Sequence, residues 1–269
     1  ADALKIYVIN VPVATERRAM QEAQAKRFGL DMHFVNAIDA AGLDDEFCQR
    51  AANNWTRSIS KKDIACFMSH RHVWALAVKE TSPVMIIEDD VVFSPTIKDV
   101  LAVLAARSDP WNVIYDLEFA PGRHGISRTE YWHTKNPEIS ARYIYKNKIG
   151  LGAYVLSPQA AKRLHDAQDI YAMADAYVWT RPWLAPYQIE PAPAVQMIYL
   201  ENVINLESSA AHNREIRFEN QSYLKRKLIR LGITLDEARR FIGGLRDIDK
   251  RPLKFDRDAF RRNQETSES

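Results

Sequence analysis

Residues 84–94 constrain this chain more than any other stretch. Val84-Met85-Ile86-Ile87 is an apolar run of strand length; it leads into Glu88-Asp89-Asp90 and turns apolar again through Val91-Val92-Phe93 before Ser94-Pro95. A short Val/Ile-rich run bounded by Pro83 and Pro95 reads as a buried strand. Burying one unpaired carboxylate costs several kcal/mol, by rough estimate, so three in a row need cationic company. Alternate residues of a strand share a face, so Glu88 and Asp90 are expected on one side and Asp89 on the other. Two carboxylates at a strand end form an all-oxygen site suited to Mg²⁺ or Mn²⁺ carrying a substrate phosphate. The competing reading is a solvated acidic turn, or local pairing with Arg or Lys.

The strand has a sheet to join. Lys5–Val11 reads as a strand ending near Asn10 and Pro12, Thr15 opens a helix to about Phe28 with Thr15 as its cap, and Met32–Ile38 is a second strand closed by Asp39. Strand, helix, strand begins a mostly parallel α/β sheet, and such sheets gather ligands at the carboxyl ends of their strands. Asn10 and Asp39 fall at that edge, as turn formers or as ligand contacts. With 269 residues there is room for one large α/β domain or two small ones. Cys48 and Cys66 stand outside metal-ligand spacing and cannot frame a fold with disulfides, which fits a reducing compartment. No apolar run approaches the roughly 20 residues of a membrane span, and the first residues lead straight into a strand with no signal peptide.

Ser60 and Asp63 form a capping-box-like start to a helix running to about Val78. Within it Ser69, His70 and Arg71 break an apolar stripe, with periodicity alone favouring a neutral role for the histidine. Another helix covers 97–106 and another strand 111–117, while the Gly/Pro-punctuated residues 121–142 read as a long loop, a lid or binding segment. Residues 149–156 form a strand entered through Gly150 and Gly152, which either ease a bend or let backbone approach a bound sugar. Ser157-Pro158 then caps a helix. Asp175 heads a short apolar segment, as a helix cap or as a catalytic carboxylate. His212 sits in a polar stretch, as a surface residue or as a third metal ligand.

From about Tyr223 the character changes. Between 223 and 262 there are thirteen lysines and arginines against six acids, with Leu224, Leu228, Ile229, Leu231, Leu235, Phe241, Ile242 and Leu245 at helical spacing. This is a basic amphipathic helix pair, which either packs on the domain or also docks on anionic lipid. The chain as a whole is only +2, and the tail lacks the spaced aromatics that stack bases, so nucleic acid is not expected as a partner.

Four stretches together resemble glycosyltransferase family 25, the lipooligosaccharide galactosyltransferase-like enzymes. They are the opening strand with Thr15-Glu16-Arg17-Arg18, the phrase Phe34–Asp39, the helix Asp63–Arg71 with its Cys-Phe-x-Ser-His-Arg core, and Ile87–Val91. The pattern at 152–157 and around Gln196 extends the likeness to about residue 215. The resemblance implies a GT-A-like single nucleotide-sugar-binding domain over residues 1–220, with residues 221–269 as a basic helical extension. It also implies an inverting enzyme that moves a sugar, galactose by the family's habit, from a UDP-sugar to an oligosaccharide or lipid-linked glycan of the cell surface. Cytoplasmic placement, peripheral on the inner face of the membrane, would follow.

By the same resemblance Glu88 and Asp90 hold Mn²⁺ or Mg²⁺ against the diphosphate, with His212 as a further ligand. The donor site would take in Asn10, Val11, Arg17, Asp39, Ser69, His70, Arg71, Asp89, Gly150 and Gly152, and Asp175 would be the base; Asp116 and Glu118 are runners-up because they also end a strand, next to the 121–142 segment. Two other readings compete: a metal-dependent nucleotidyltransferase or phosphohydrolase, for which neither a P-loop nor a nucleophilic Asp motif is present, and a non-catalytic glycan-binding relative.

Overall fold

The computed structural model describes residues 4–146, 149–167, 171–204 and 216–260. The amino-terminal part alternates as the sequence suggests. β1 (Ile6–Asn10) leads through α1 (Thr15–Phe28) to β2 (Met32–Asn36), a 3-10 turn (Ala40–Gly42), α2 (Asp45–Ala52) and β3 (Ile59–Ser60). α3 (Lys61–Ala77) then leads to β4 (Val84–Glu88), β5 (Val91–Phe93), α4 (Ile97–Ala105), β6 (Val113–Asp116) and β7 (Glu118–Phe119). The hairpin β8 (His124–Lys135) and β9 (Glu138–Ile144) follows, then β10 (Ala153–Leu156), α5 (Pro158–Asp166) and α6 (Ala174–Trp179). The chain closes with β11 (Ala185–Glu190), β12 (Ala194–Gln196), α7 (Met197–Ile204), β13 (Arg217–Phe218), α8 (Tyr223–Gly244) and β14 (Ile248–Arg251).

Nine strands form one sheet in the order β14-β8-β9-β11-β6-β10-β4-β1-β2. β1 pairs in parallel with both β2 and β4, and β11 in parallel with β6; β10 enters antiparallel between β4 and β6, and the β14-β8-β9-β11 side is antiparallel. The sheet is therefore mixed, and its parallel part is the part that carries the acidic triplet.

Strand alternation sorts the core onto two faces. Val84 and Ile86 join Tyr7, Ile9, Tyr154, Phe67, Trp74 and Tyr177 on the face covered by α3, α5 and α6. Met85 and Ile87 join Ile6, Val8, Phe28, Leu101 and Leu104 on the face covered by α1 and α4. Full burial of each such side chain contributes roughly 1.5–3 kcal/mol. The same alternation sends Glu88 towards α3 and Asp89 towards α1.

Four local expectations need correction. The run 84–94 is not one strand: it breaks at Asp89-Asp90, and β5 leaves for a separate three-stranded sheet with β12 and β7. Its apolar residues on both sides are buried, so hydropathy alone could not show the break. Residues 121–142 are no loop, since most of them build β8 and β9. β8 is exposed or half-buried along much of its length, which hides the period of two; pairing with β9 and β14 supplies what local pattern does not. The carboxyl-terminal segment is not a helix pair. The apolar positions 224–245 lie on one helix, α8; the chain then returns to the main sheet as β14, residues 257–260 are helical again, and Leu253 and Phe260 are buried. Finally, α1 is capped at Ala14 with no side-chain bond, Thr15 being its first residue.

α8 lies on the body by one face only. Ile233 packs against the α3-side core, and Arg240 donates to the carbonyls of Trp179 and Arg181. Gly244 passes so close to the Tyr145 ring that a Cβ there would run into it. The opposite face carries Leu224, Leu228, Leu231, Leu235 and Ile242, a row at helical spacing, each between 51% and 72% exposed.

Candidate active site

α3 is built to present one face to the end of β4. Its start is a full capping box: Ser60 accepts from Asp63 N, and the Asp63 carboxylate accepts from Ser60 N. Cys66, Ser69 and His70 follow at spacings of three and four, on one side of the helix. Ser69 Oγ donates to the carbonyl of Ala65 at 2.7 Å and accepts from Ile38 N at 2.8 Å, which fixes the β2 exit loop. Asp39 caps the 3-10 turn by accepting from Ala41 N.

His70 is completely buried and bridges two elements. Its Nδ1 lies 2.9 Å from Tyr154 Oη, and its Nε2 lies 3.1 Å from Glu88 Oε1. Tyr154 Oη already accepts from Trp74 Nε1 at 2.9 Å, so its own proton goes to His70 Nδ1 and the Nε2–H points at Glu88. Gln196 Nε2 donates to the other Glu88 oxygen at 3.0 Å, and Cys66 Sγ stands 3.8 Å from Oε1. Burial opposes ionisation of Glu88, yet the bond from His70 and those from Cys66 and Gln196 outweigh it and hold the carboxyl below its ordinary value. Burial, with Glu88 beside it, pushes the Cys66 thiol well up.

The two aspartates next door fare differently. Asp89 is buried and saturated: Asn10 Nδ2 donates at 2.8 Å, Val11 N at 3.1 Å and Arg17 Nη1 at 3.1 Å. It holds the β1–α1 loop shut, and Asn10 is spent on that task. Asp90 has a buried Oδ1 with no hydrogen-bond partner. Burial and the charge of Glu88 push its carboxyl up to about 7, against a smaller pull from Arg17.

Glu88 and Asp90 line one cavity of about 360 Å³, together with Val11, Arg17, Asp39, Ser69, His70 and Asp89. Cys66 and Glu88 are also walls of a second cavity of about 180 Å³, which contains Gly150, Asp175, Gln196 and Tyr199. Asp175 lies in the first turn of α6, where it accepts from Ala176 N and Gly150 N at 2.6 and 3.2 Å. It is a turn-one residue and not the cap, which is Met173.

The structure thus gathers most of the expected residues and leaves out four. Asn10 sits behind the cavity wall. Arg71 is buried beside the Tyr171 ring and does not line either cavity. Gly152 is packed inside, where its N–H donates to Glu118 at 2.7 Å. His212 lies outside the described residues. The glycines answer to Glu118: a Cβ at Gly150, whose φ is +93°, would come within 2.9 Å of that carboxylate, and one at Gly152 within 3.2 Å. The runner-up bases Asp116 and Glu118 are both fully buried, with Asp116 accepting from Glu118 N at 2.8 Å.

Sequence reasoning overlooked Cys66 as a wall of the site. Cys66 and His70 are four apart on a helix, a spacing that brings their tips together, and with Glu88 they place three ligand atoms within 4.8 Å of one another. Tyr154 and Tyr199 carried no signal, because each lies inside an ordinary apolar run.

A family model described as glycosyltransferase family 25 (LPS biosynthesis protein) matches residues 3–179. The chain belongs to glycosyltransferase family 25. A Glycosyltransferase 25 family member of Aedes aegypti is 28% identical over 190 residues, 64% of this chain and 30% of that protein. The Anopheles gambiae protein of the same name is 32% identical over 175 residues, 59% of this chain and 28% of that protein. A Bos taurus protein named "Probable inactive glycosyltransferase 25 family member 3" is 25% identical over 185 residues, 63% and 30% of the two chains. The family 25 chain described here spans about 30% of the length of these relatives. Glu88, Asp90, His70 and Asp175 all fall within the matched residues; α8 and β14 fall beyond them. Among the described residues no helix is long and apolar enough to cross a membrane.

Proposed function

We propose that this chain transfers a sugar, galactose first among the candidates, from a UDP-sugar to a hydroxyl of a cell-surface glycan, with inversion at the sugar carbon. The observation that carries the reading is the unpartnered, buried Asp90 oxygen beside Glu88 in a cavity at the parallel strand ends. A buried carboxylate raised to about 7 lacks a cation. Mn²⁺ or Mg²⁺ fits that lack, and Glu88 and Asp90 would hold it. Such an ion supplies Lewis-acid neutralisation of a departing diphosphate. The Cys66, His70 and Glu88 cluster is a softer donor set, and the Nε2–H of His70 is already committed to Glu88.

The chain's own residues do the rest. The larger cavity takes the nucleoside, with Val11 and Asp39 on its rim and Ser69 holding that rim to α3. The smaller cavity, across Glu88, takes the donor sugar. The acceptor O–H attacks the anomeric carbon there, forming the new C–O bond as the bond to the diphosphate breaks and UDP leaves with its electron pair. Asp175 takes the acceptor's proton; its position is fixed by two backbone amides, whereas Asp116 and Glu118 are buried and engaged. A general base of this kind contributes on the order of 10²–10⁴-fold.

The test is UDP release from UDP-galactose with Mn²⁺ and a saccharide acceptor. Asp90→Asn is expected to lower turnover roughly a hundredfold or more, the scale of a lost Lewis acid. Asp175→Asn should lower turnover while UDP still binds. Turnover by Asp90→Asn equal to that of the unaltered chain would sink the reading.

The outer row of α8 supports a second element of the same reading, a lipid-linked acceptor reached from an anionic membrane surface. Leucines at this spacing with Lys227 and Arg239 on their two flanks suit a lipid interface. Flotation with vesicles containing phosphatidylglycerol should carry the protein upward, and Leu228→Ser with Leu231→Ser should abolish this. Equal flotation with neutral vesicles would remove the electrostatic part of the claim.

A further inference from the structure

A third cavity, of about 430 Å³, opens on the far side of Asp175 between α6, the Trp55–Arg57 segment and α8. It shares Ile149 and Asp175 with the donor-sugar cavity, so the carboxylate stands at the junction of the two. Its volume is within the roughly 300–1,000 Å³ typical of small-molecule clefts. α8 contributes Arg230, Ile233, Thr234 and Glu237 from a single face. The side chains of Arg57, Arg230 and Glu237 form no ion pair among the described residues.

We propose that this cavity is the acceptor subsite, and that it takes a neutral, hydroxyl-rich sugar residue. The proposal rests on the donor reading given above and deepens it. Two arginines (Arg57, Arg230) face two carboxylates (Asp175, Glu237), so the lining is balanced in charge and offers donors and acceptors together. Vicinal sugar hydroxyls, each both donor and acceptor, match such a lining; a phosphate or carboxylate would meet repulsion as well as attraction. Trp55 is one of the lining residues, and its indole N–H, buried and without an acceptor among the described residues, is a built-in reporter of the site. The family match ends at residue 179, whereas α8 begins at Tyr223. The cavity is therefore walled partly by residues within the match, Trp55, Arg57 and Asp175 among them, and partly by α8 beyond it.

The experiment uses the full chain with UDP and Mn²⁺ present and follows the Trp55 indole resonance, alongside saturation transfer to four probes. The probes are methyl β-galactoside, methyl β-glucoside, methyl glucuronide and glucose 6-phosphate. A neutral glycoside should bind and shift the indole signal. The double variant Arg230→Ala, Glu237→Ala should weaken that glycoside roughly tenfold or more, as expected when charged hydrogen-bond partners are lost, with UDP affinity unchanged. A single Arg57→Ala should act in the same direction. Binding of neither neutral glycoside, binding indifferent to the α8 variants, or preference for the anionic sugars would each overturn the proposal. Failure of the unaltered chain to bind UDP at all would instead defeat the donor reading, and the subsite with it.

Discussion

Two acidic strand ends lie within one sheet, and they have opposite fates. At the end of β4, Asp90 keeps a buried oxygen with no partner and Glu88 faces a cavity. At the end of β6, Asp116 and Glu118 are fully buried; Glu118 N is taken by Asp116, and Gly150 and Gly152 press backbone against the Glu118 carboxylate. Both clusters read alike in sequence, as acids ending an apolar run. What separates them is access: the Glu118 carboxylate is fully buried and closed in by glycine backbone, with the Gly152 N–H on one oxygen, whereas Glu88 and Asp90 open on a cavity.

That contrast can be broken by substitution. Glu118→Ala leaves the Gly152 N–H without its acceptor and a void in a closed interior, and should cost about 3 kcal/mol of stability. Asp90→Asn removes a charge that the fold resists, so chemical denaturation should show it no less stable than the unaltered chain while activity is lost. If Asp90→Asn unfolds the protein as readily as Glu118→Ala, both clusters are structural and the comparison fails.

The sequence showed the β1–α1–β2 opening, the α3 capping box and the acidic triplet, because each is written in local spacing. Alternation even assigned Glu88 and Asp89 to their faces correctly. It could not show that the chain turns at Asp89-Asp90, since the apolar residues on either side are buried in two different sheets. Nor could it tell Glu118 from a free base: its donors come from residues more than thirty positions away. The β8–β9 hairpin escaped for a similar reason, because its exposed residues blur the two-residue period and its edges are set by β11 and β14. Asp175 was legible as a lone acid at a helix start, but its place between two cavities was not.

A second prediction concerns pH. Burial and Glu88 raise the Asp90 carboxyl from its ordinary value near 3.8 to about 7 in the folded chain, so the folded state binds this proton more tightly than the unfolded one. The contribution is therefore full below about pH 4 and is lost as pH rises towards 7. Thermal melting without divalent ions should fall over that window, and the Asp90→Asn variant should lack this part of the slope. Mn²⁺ prefers the ionised form, so its stabilising effect should grow with pH over the same range. Mn²⁺ stabilisation independent of pH between 5 and 8 would place the ion elsewhere.

The smallest expected effect tests the join between Asp89 and Asp90. Arg17 is one of three donors to Asp89 and is half-exposed, so Arg17→Ala should cost less than about 1 kcal/mol; Asn10 and the Val11 amide still hold the buried carboxylate. Arg17 is also the cation that pulls the Asp90 carboxyl down. Its loss should move the pH midpoint of Mn²⁺ binding upward while stability barely changes. Asn10→Ala should do the reverse, because it strips a buried donor from Asp89 and leaves the charge near Asp90 untouched. Were both variants to act alike on stability and on the midpoint, the two aspartates would be one electrostatic unit, and the division between a framing carboxylate and a waiting one would not hold even between neighbours.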